Sequence, residues 1–93
     1  MRPSGFEWDQ NKAKANLVKH GVSFHEATRI WLDPNYYRIK VAHEPEDRWL
    51  VVGRVARGRY LSAIVTYRGV NPERTRIISA RRATRTEVRR YHD

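Results

Sequence analysis

The stretch spanning residues 75–91, TRIISARRATRTEVRRY, constrains the fold of this chain more than any other. It opens as an apolar run with strand character, Ile77 to Ala80, and passes through Arg81 and Arg82 into a helix. Thr84 and Glu87 mark the start of that helix, in the S/T-x-x-E spacing of a capping box. There a hydroxyl and a carboxylate satisfy orphan N–H groups of the first turn. A strand reaching Arg82 and a helix opening at Thr84 leave no room for a long connection. Two arginines are therefore held at a strand end, beside a helix carrying Arg85, Arg89 and Arg90, as an anion site on a rigid frame.

The rest of the chain supplies that frame. Asp9 is placed to cap a helix over Gln10–His20, with Ala13, Asn16 and Leu17 on one face at i, i+3 and i+4 spacing and Gly21 as its αL stop. Phe6 and Trp8 precede it as a short extended segment. Ser23 and Glu26 form a second capping box, opening a helix through Ala27, Ile30 and Trp31 that Asp33-Pro34 ends. Tyr37, Ile39 and Val41 alternate with Tyr36, Arg38 and Lys40, which predicts a strand with one wet face. A polar loop, 43–47, follows. Residues 49–55 and 60–67 are β-rich runs joined through Gly58, which predicts a hairpin. A Gly/Pro-containing turn, 69–73, leads into the strand 74–82. This order predicts an α+β domain with two N-terminal helices, a four-stranded antiparallel sheet covered by helices on one side, and a C-terminal helix.

Charge narrows the class of partner. The formal net charge is +9, and residues 54–93 hold eleven arginines and no lysine against three Asp/Glu. Guanidinium forks match phosphate oxygens, so nucleic acid is the leading partner. A solvated basic surface is the simpler alternative. With no cysteine and four scattered histidines, the sequence predicts neither disulfide nor metal site. No apolar run is long enough to cross a bilayer and no signal-peptide pattern is present, so a cytoplasmic protein of one domain, 1–93, without membrane contact is expected.

Three segments carry a family resemblance: FEWDQNKAKANLVKHGVSFHEA near the start, EDRW followed by Gly53, and RIISARRATRTE near the end. In these the chain resembles the BrnT toxins of bacterial type II toxin–antitoxin modules, a family with a RelE-like ribonuclease fold. The resemblance implies a cytoplasmic endoribonuclease that inhibits translation until a BrnA-like ribbon-helix-helix antitoxin neutralises it. Operator DNA would be bound only through the antitoxin. The Asn-Pro in 69–73 departs from the family pattern.

Cleavage of RNA without a metal requires activation of the 2′-hydroxyl, stabilisation of a phosphorane-like transition state and protonation of the leaving oxygen. Arg81 and Arg82 suit the second task as preorganised charge donors, although alternation along a strand sends neighbouring side chains to opposite faces. His20, in the matching KHG motif, belongs to the side-chain class that gives and takes protons near neutrality; its simpler role is to end a helix. The resemblance implies a role for Tyr91, since RelE-like ribonucleases carry a late tyrosine near the cut; packing beside Val88 is the alternative. Lys19, Arg68, Arg85 and Arg89 are expected to hold RNA phosphates, with no cofactor. A non-catalytic RNA-binding module is the rival reading, because no Glu/His pair is evident.

Overall fold

The computed structural model describes residues 5–68 and 74–93, Arg68 through its backbone only. The expected turn at 69–73 lies outside the described residues. Strand β1 (Gly5–Glu7) comes first, followed by helices α1 (Gln10–His20) and α2 (Phe24–Ala27) and a 3-10 helix (Thr28–Leu32). Then come β2 (Tyr37–Ala42), β3 (Arg48–Ala56), β4 (Arg59–Arg68), β5 (Arg74–Arg82) and α3 (Arg85–His92).

The caps form where the sequence places them. Asp9 accepts the N–H groups of Asn11 and Lys12, and Gly21 closes α1 in the αL conformation with its N–H on the Leu17 carbonyl. Ser23 accepts the Glu26 N–H, but the expected second capping box is only half made, because the Glu26 carboxylate holds Arg59, and α2 ends after a single turn. There the Thr28 hydroxyl bonds the His25 carbonyl at 2.7 Å, and the chain tightens into 3-10 geometry where one longer α-helix was expected.

The sheet order is β1-β5-β4-β3-β2, with β1 parallel to β5 and every other pair antiparallel. This corrects the expected four-stranded antiparallel sheet. The fifth strand, three residues around Phe6, is too short for any periodicity to reveal it. A register shift between Lys40 and Ala42 also turns Val41 out to solvent, against the alternation read from β2.

Residues directly opposite in antiparallel strands share a face. Val51, Ala63 and Ala80 therefore form one row, and Gly53, Leu61 and Arg82 the next. That face meets α1, α2 and the 3-10 helix across the core of Phe24, Ile30, Trp31, Leu61 and Ile77. Gly53 is what lets the 3-10 helix settle: a Cβ there would stand 3.0 Å from Ile30 Cγ2 and 3.1 Å from Tyr36 Cβ. Helix α3 lies on the other face, where the Tyr37 hydroxyl donates to the Glu87 carbonyl at 3.0 Å. Helices therefore cover both faces, not the one side expected from chain order. The cause is the connection after β5: Ala83 donates its N–H to the Tyr60 carbonyl, so the chain turns at the sheet's end and returns along the uncovered face.

Both outer strands of the sheet are short, and side chains finish what they leave undone. Beyond Arg76, where β1 stops, the Asn16 amide brackets Ala80 on β5, donating to its carbonyl at 2.8 Å and accepting its N–H at 3.1 Å. Beyond Val52, where β2 begins to pair, the Asp33 carboxylate accepts the Arg54 N–H at 2.8 Å.

Candidate functional site

The register places Arg82 opposite Leu61 and Arg81 opposite Ser62, at the end of the sheet that carries the β3–β4 hairpin. Arg82 shares the face of α1, and Arg81 the face of α3. Helix α1 runs beside β5 in the same direction, Asp9 lying near Arg76 and Asn16 bonding Ala80, so Lys19 and His20 are carried toward the Arg82 end. Tyr91 belongs to the other face, its ring 5.3 Å from that of Tyr60. The four expected catalytic residues are thus split into Arg82 with His20 on one face and Arg81 with Tyr91 on the other. Arg85 and Arg89 are exposed on α3, and Arg89 lines a shallow depression with Thr86, Arg90 and Asp93. Arg68 ends β4 opposite Arg74, seven residues along the strand from Leu61. At the rise of a β-strand this puts its backbone roughly 20 Å from that of Arg82.

Arg81 is tied to α3. Its two terminal nitrogens donate to the two oxygens of Glu87 at 2.9 and 3.0 Å. Glu87 also accepts the Thr84 N–H at 2.8 Å, while its own N–H reaches the Thr84 hydroxyl, completing the capping box. Burial alone would raise the Glu87 carboxyl, but Arg81 and the Thr84 N–H outweigh it and hold the group below its ordinary value.

The Tyr91 hydroxyl donates to Asp33 Oδ2 at 2.7 Å, the same oxygen that accepts the Arg54 N–H, while Oδ1 accepts the Asn35 N–H at 2.9 Å. Burial works against the charged Asp33, yet these donors keep its carboxyl below the usual range. Burial first, and then the hydrogen bond and charge of Asp33, push the Tyr91 phenol up. It stays protonated and can act as a donor, but not as a base. Beside it the Tyr60 hydroxyl lies 3.1 Å from His92 Nε2, and the His92 ring stacks edge-on against both tyrosines.

Several members of this end are absent from the residues expected to act: Arg29, Asp33, Arg54, Arg57, Tyr60 and His92. A cleft of about 800 Å³ runs between the 3-10 helix and the end of β3, lined in part by Arg29, Leu32, Asp33, Pro34, Arg54 and Arg57. The carboxylates nearest its arginines are already engaged. Asp33 is bonded as above, and Glu26 holds Arg59 through two bonds, at 2.6 and 3.0 Å. The arginine density of 54–59 was visible in the sequence; the partnership with Arg29 and Asp33 was not, because only the docking of the 3-10 helix on Gly53 creates it. Of the charged members of EDRW, Glu46 and Arg48 pair with each other at 3.7 Å, while Asp47 pairs with Lys40 and His43.

Among the described residues no group of three or more His, Asp or Glu is placed to hold a metal ion. No described helix is long and apolar enough to cross a membrane.

The crystal structure of the Brucella abortus ribonuclease toxin BrnT superposes on the chain with a TM-score of 0.68 at 22% identity, covering 87% of this chain and 97% of that one. It shares the α+β fold. No curated protein matches the sequence. The family model for BrnT, the ribonuclease toxin of a type II toxin–antitoxin system, matches residues 8–87. That span holds α1, α2, the whole hairpin and the Arg81–Glu87 pair, and stops within the first turn of α3, so the chain belongs to the BrnT family of ribonuclease toxins of type II toxin–antitoxin systems.

Proposed function

We propose that the chain is one RelE-like toxin domain, 1–93, that cuts RNA without a metal at the hairpin end of its sheet. The observation that carries this reading is the Tyr91 hydroxyl fixed on Asp33 at 2.7 Å, at the end of the sheet where arginines converge. A cation-lined cleft whose carboxylate, Asp33, is already bonded repels a divalent ion, which favours metal-free chemistry.

In this reading the scissile phosphate lies across the end of the sheet, where Arg82, the exposed last residue of β5, supplies charge to the phosphorane-like transition state from one face and Tyr91 approaches from the other. On RNA binding Tyr91, kept protonated, turns its single O–H from Asp33 to a phosphate oxygen or to the leaving oxygen. Proton transfer falls to His92, which stands against Tyr60 and Tyr91; His20, at the end of α1, joins Lys19 on the face of Arg82. Arg81 positions α3, and through it Tyr91. Lys19, Arg85 and Arg89 hold phosphates farther along the strand, and Arg68 one more distant still. The toxin works in the cytoplasm and slows translation until its antitoxin covers it. A BrnA-like ribbon-helix-helix antitoxin, itself the operator-binding partner, fits this role.

The test is incubation of the protein with RNA in excess EDTA, with the new ends characterised. Fragments bearing 2′,3′-cyclic phosphate and 5′-hydroxyl ends are expected. Retained binding with intact RNA would replace this reading with a non-catalytic phosphate-binding module.

A further inference from the structure

We propose that the cleft between the 3-10 helix and the free end of β3 seats consecutive phosphates of a single-stranded RNA, held by Arg29 from one wall and Arg54 and Arg57 from the other. The proposal rests on the ribonuclease reading above and deepens it by naming the surface that delivers the strand.

The cleft exists because β2 is short. It pairs with β3 only as far as Val52, so residues 53–56 project past it with one edge uncovered. The link from the 3-10 helix to β2 closes only part of that edge, through the bond from the Arg54 N–H to Asp33. What remains open is about 800 Å³, within the range of cavities that hold sizeable ligands. All three arginines are exposed. Glu26 and Asp33, the carboxylates that feel Arg29 and Arg54, are committed to Arg59 and to the Arg54 N–H, Asn35 and Tyr91. The cleft therefore carries surplus positive charge on forked donors, the chemistry that recognises phosphate oxygens.

Its remaining lining argues for a single strand. Leu32 is 62% exposed beside Pro34, an apolar shelf next to the arginines that offers contact to an unstacked base. A positive groove with adjoining apolar surface suits a strand whose bases are free, whereas a duplex turns its bases inward. Continuity with the chemistry is direct. Asp33 Oδ2 accepts from both the cleft wall and Tyr91, so a strand lying on Arg54 passes next to the phenol.

The experiment compares the parent with Arg54→Ala/Arg57→Ala and with Lys12→Ala/Lys14→Ala, which removes equal charge from α1. Each is titrated with a 2′-O-methyl RNA oligonucleotide, which cannot be cut, over a range of salt concentrations. The cleft variant should bind about tenfold more weakly, and its plot of log affinity against log salt should be shallower by about 0.7 for each phosphate that an arginine no longer neutralises. The α1 variant should stay within about twofold of the parent, as expected of charges outside the RNA-bearing surface. Equal affinity and slope in the two variants would overturn the proposal. So would a duplex of the same length that binds as tightly as the single strand and is weakened as much. If the double variant does not fold, Arg57→Ala alone decides, since it lies in an exposed turn: an unchanged slope overturns the assignment. Because the probe is uncleavable, a parent that binds it through the cleft yet leaves natural RNA intact would remove the ribonuclease chemistry and keep the cleft.

Discussion

Arg81 and Arg82 are neighbours in sequence with different environments, because side chains alternate across a strand. Arg81 reaches Glu87, whose side chain is 13% exposed, while Arg82 faces solvent beyond Leu61. Arg81→Ala should cost about 1–2 kcal/mol, the value of a charge-assisted pair discounted because Arg81 is itself 40% exposed. Arg82→Ala should leave the melting curve within about 0.5 kcal/mol of the parent and lower RNA cleavage about 100-fold. Paired thermal melts and cleavage assays on the two single variants separate these roles, and a destabilised Arg82→Ala with normal cleavage per folded molecule would reverse them. Tyr91→Phe keeps the ring against Tyr60 but loses the bond to Asp33. It should lower cleavage about tenfold or more with a stability loss of about 1 kcal/mol. The sequence made the strand-end pair legible through a cap three residues away. It could not show which arginine the cap's own carboxylate would take, nor that Arg29 would meet Arg54 and Arg57, since long-range docking decides both.

Among the elements, what was legible in the sequence was set locally. Caps at Asp9, Ser23 and Thr84 and the positive φ at Gly58 follow from side chains acting within a few residues, and all are present. What was not legible depends on the sheet. β1 exists because β5 offers it an edge, and α3 takes the second face because the first is already covered by α1, α2 and the 3-10 helix. The face of α1 shows the same limit. Leu17, apolar and well spaced, is 50% exposed, while Asn16 is buried because its amide completes the β5 edge that β1 leaves open. Asn16→Leu should therefore destabilise by about 2–4 kcal/mol despite adding an apolar side chain, since the Ala80 N–H and the carbonyls of Ala80 and Val22 lose their partner. Urea denaturation reads this directly, and a neutral result would mean that the helix–strand seam is held by packing alone. Thr84→Ala, removing one half of the capping box, should cost about 1 kcal/mol.

For the whole molecule, a formal charge of +9 means that the few carboxylates joining elements matter more than their number suggests. Glu26 ties α2 to Arg59 on β4, Asp33 ties the 3-10 end to β3 and α3, and Glu87 ties α3 to β5. All three carboxyls are held below their ordinary values. The Arg59 hydrogen bond is the leading cause at Glu26; at Asp33 and Glu87, hydrogen-bond donors and nearby arginines outweigh a desolvation that acts the other way. A group whose folded pKa is depressed contributes its stability above the unfolded value, and loses it as pH falls through the folded value. Stability should thus be level from neutrality down to about pH 5 and then fall as these carboxylates take up protons, below the unfolded range of about 3.9 to 4.3. Each staple is worth about 1 kcal/mol after allowance for its partial exposure, and protonation also raises an already large positive charge. Urea midpoints measured at pH 7, 5 and 3 would show little change over the first step and a marked drop over the second. Arg81→Ala should show a smaller acid drop than the parent, because the part of the Glu87 shift that comes from Arg81 is already absent. If the parent and this variant lost stability in parallel through the acid range, the Arg81–Glu87 pair would not be among the bonds that hold α3 to the sheet.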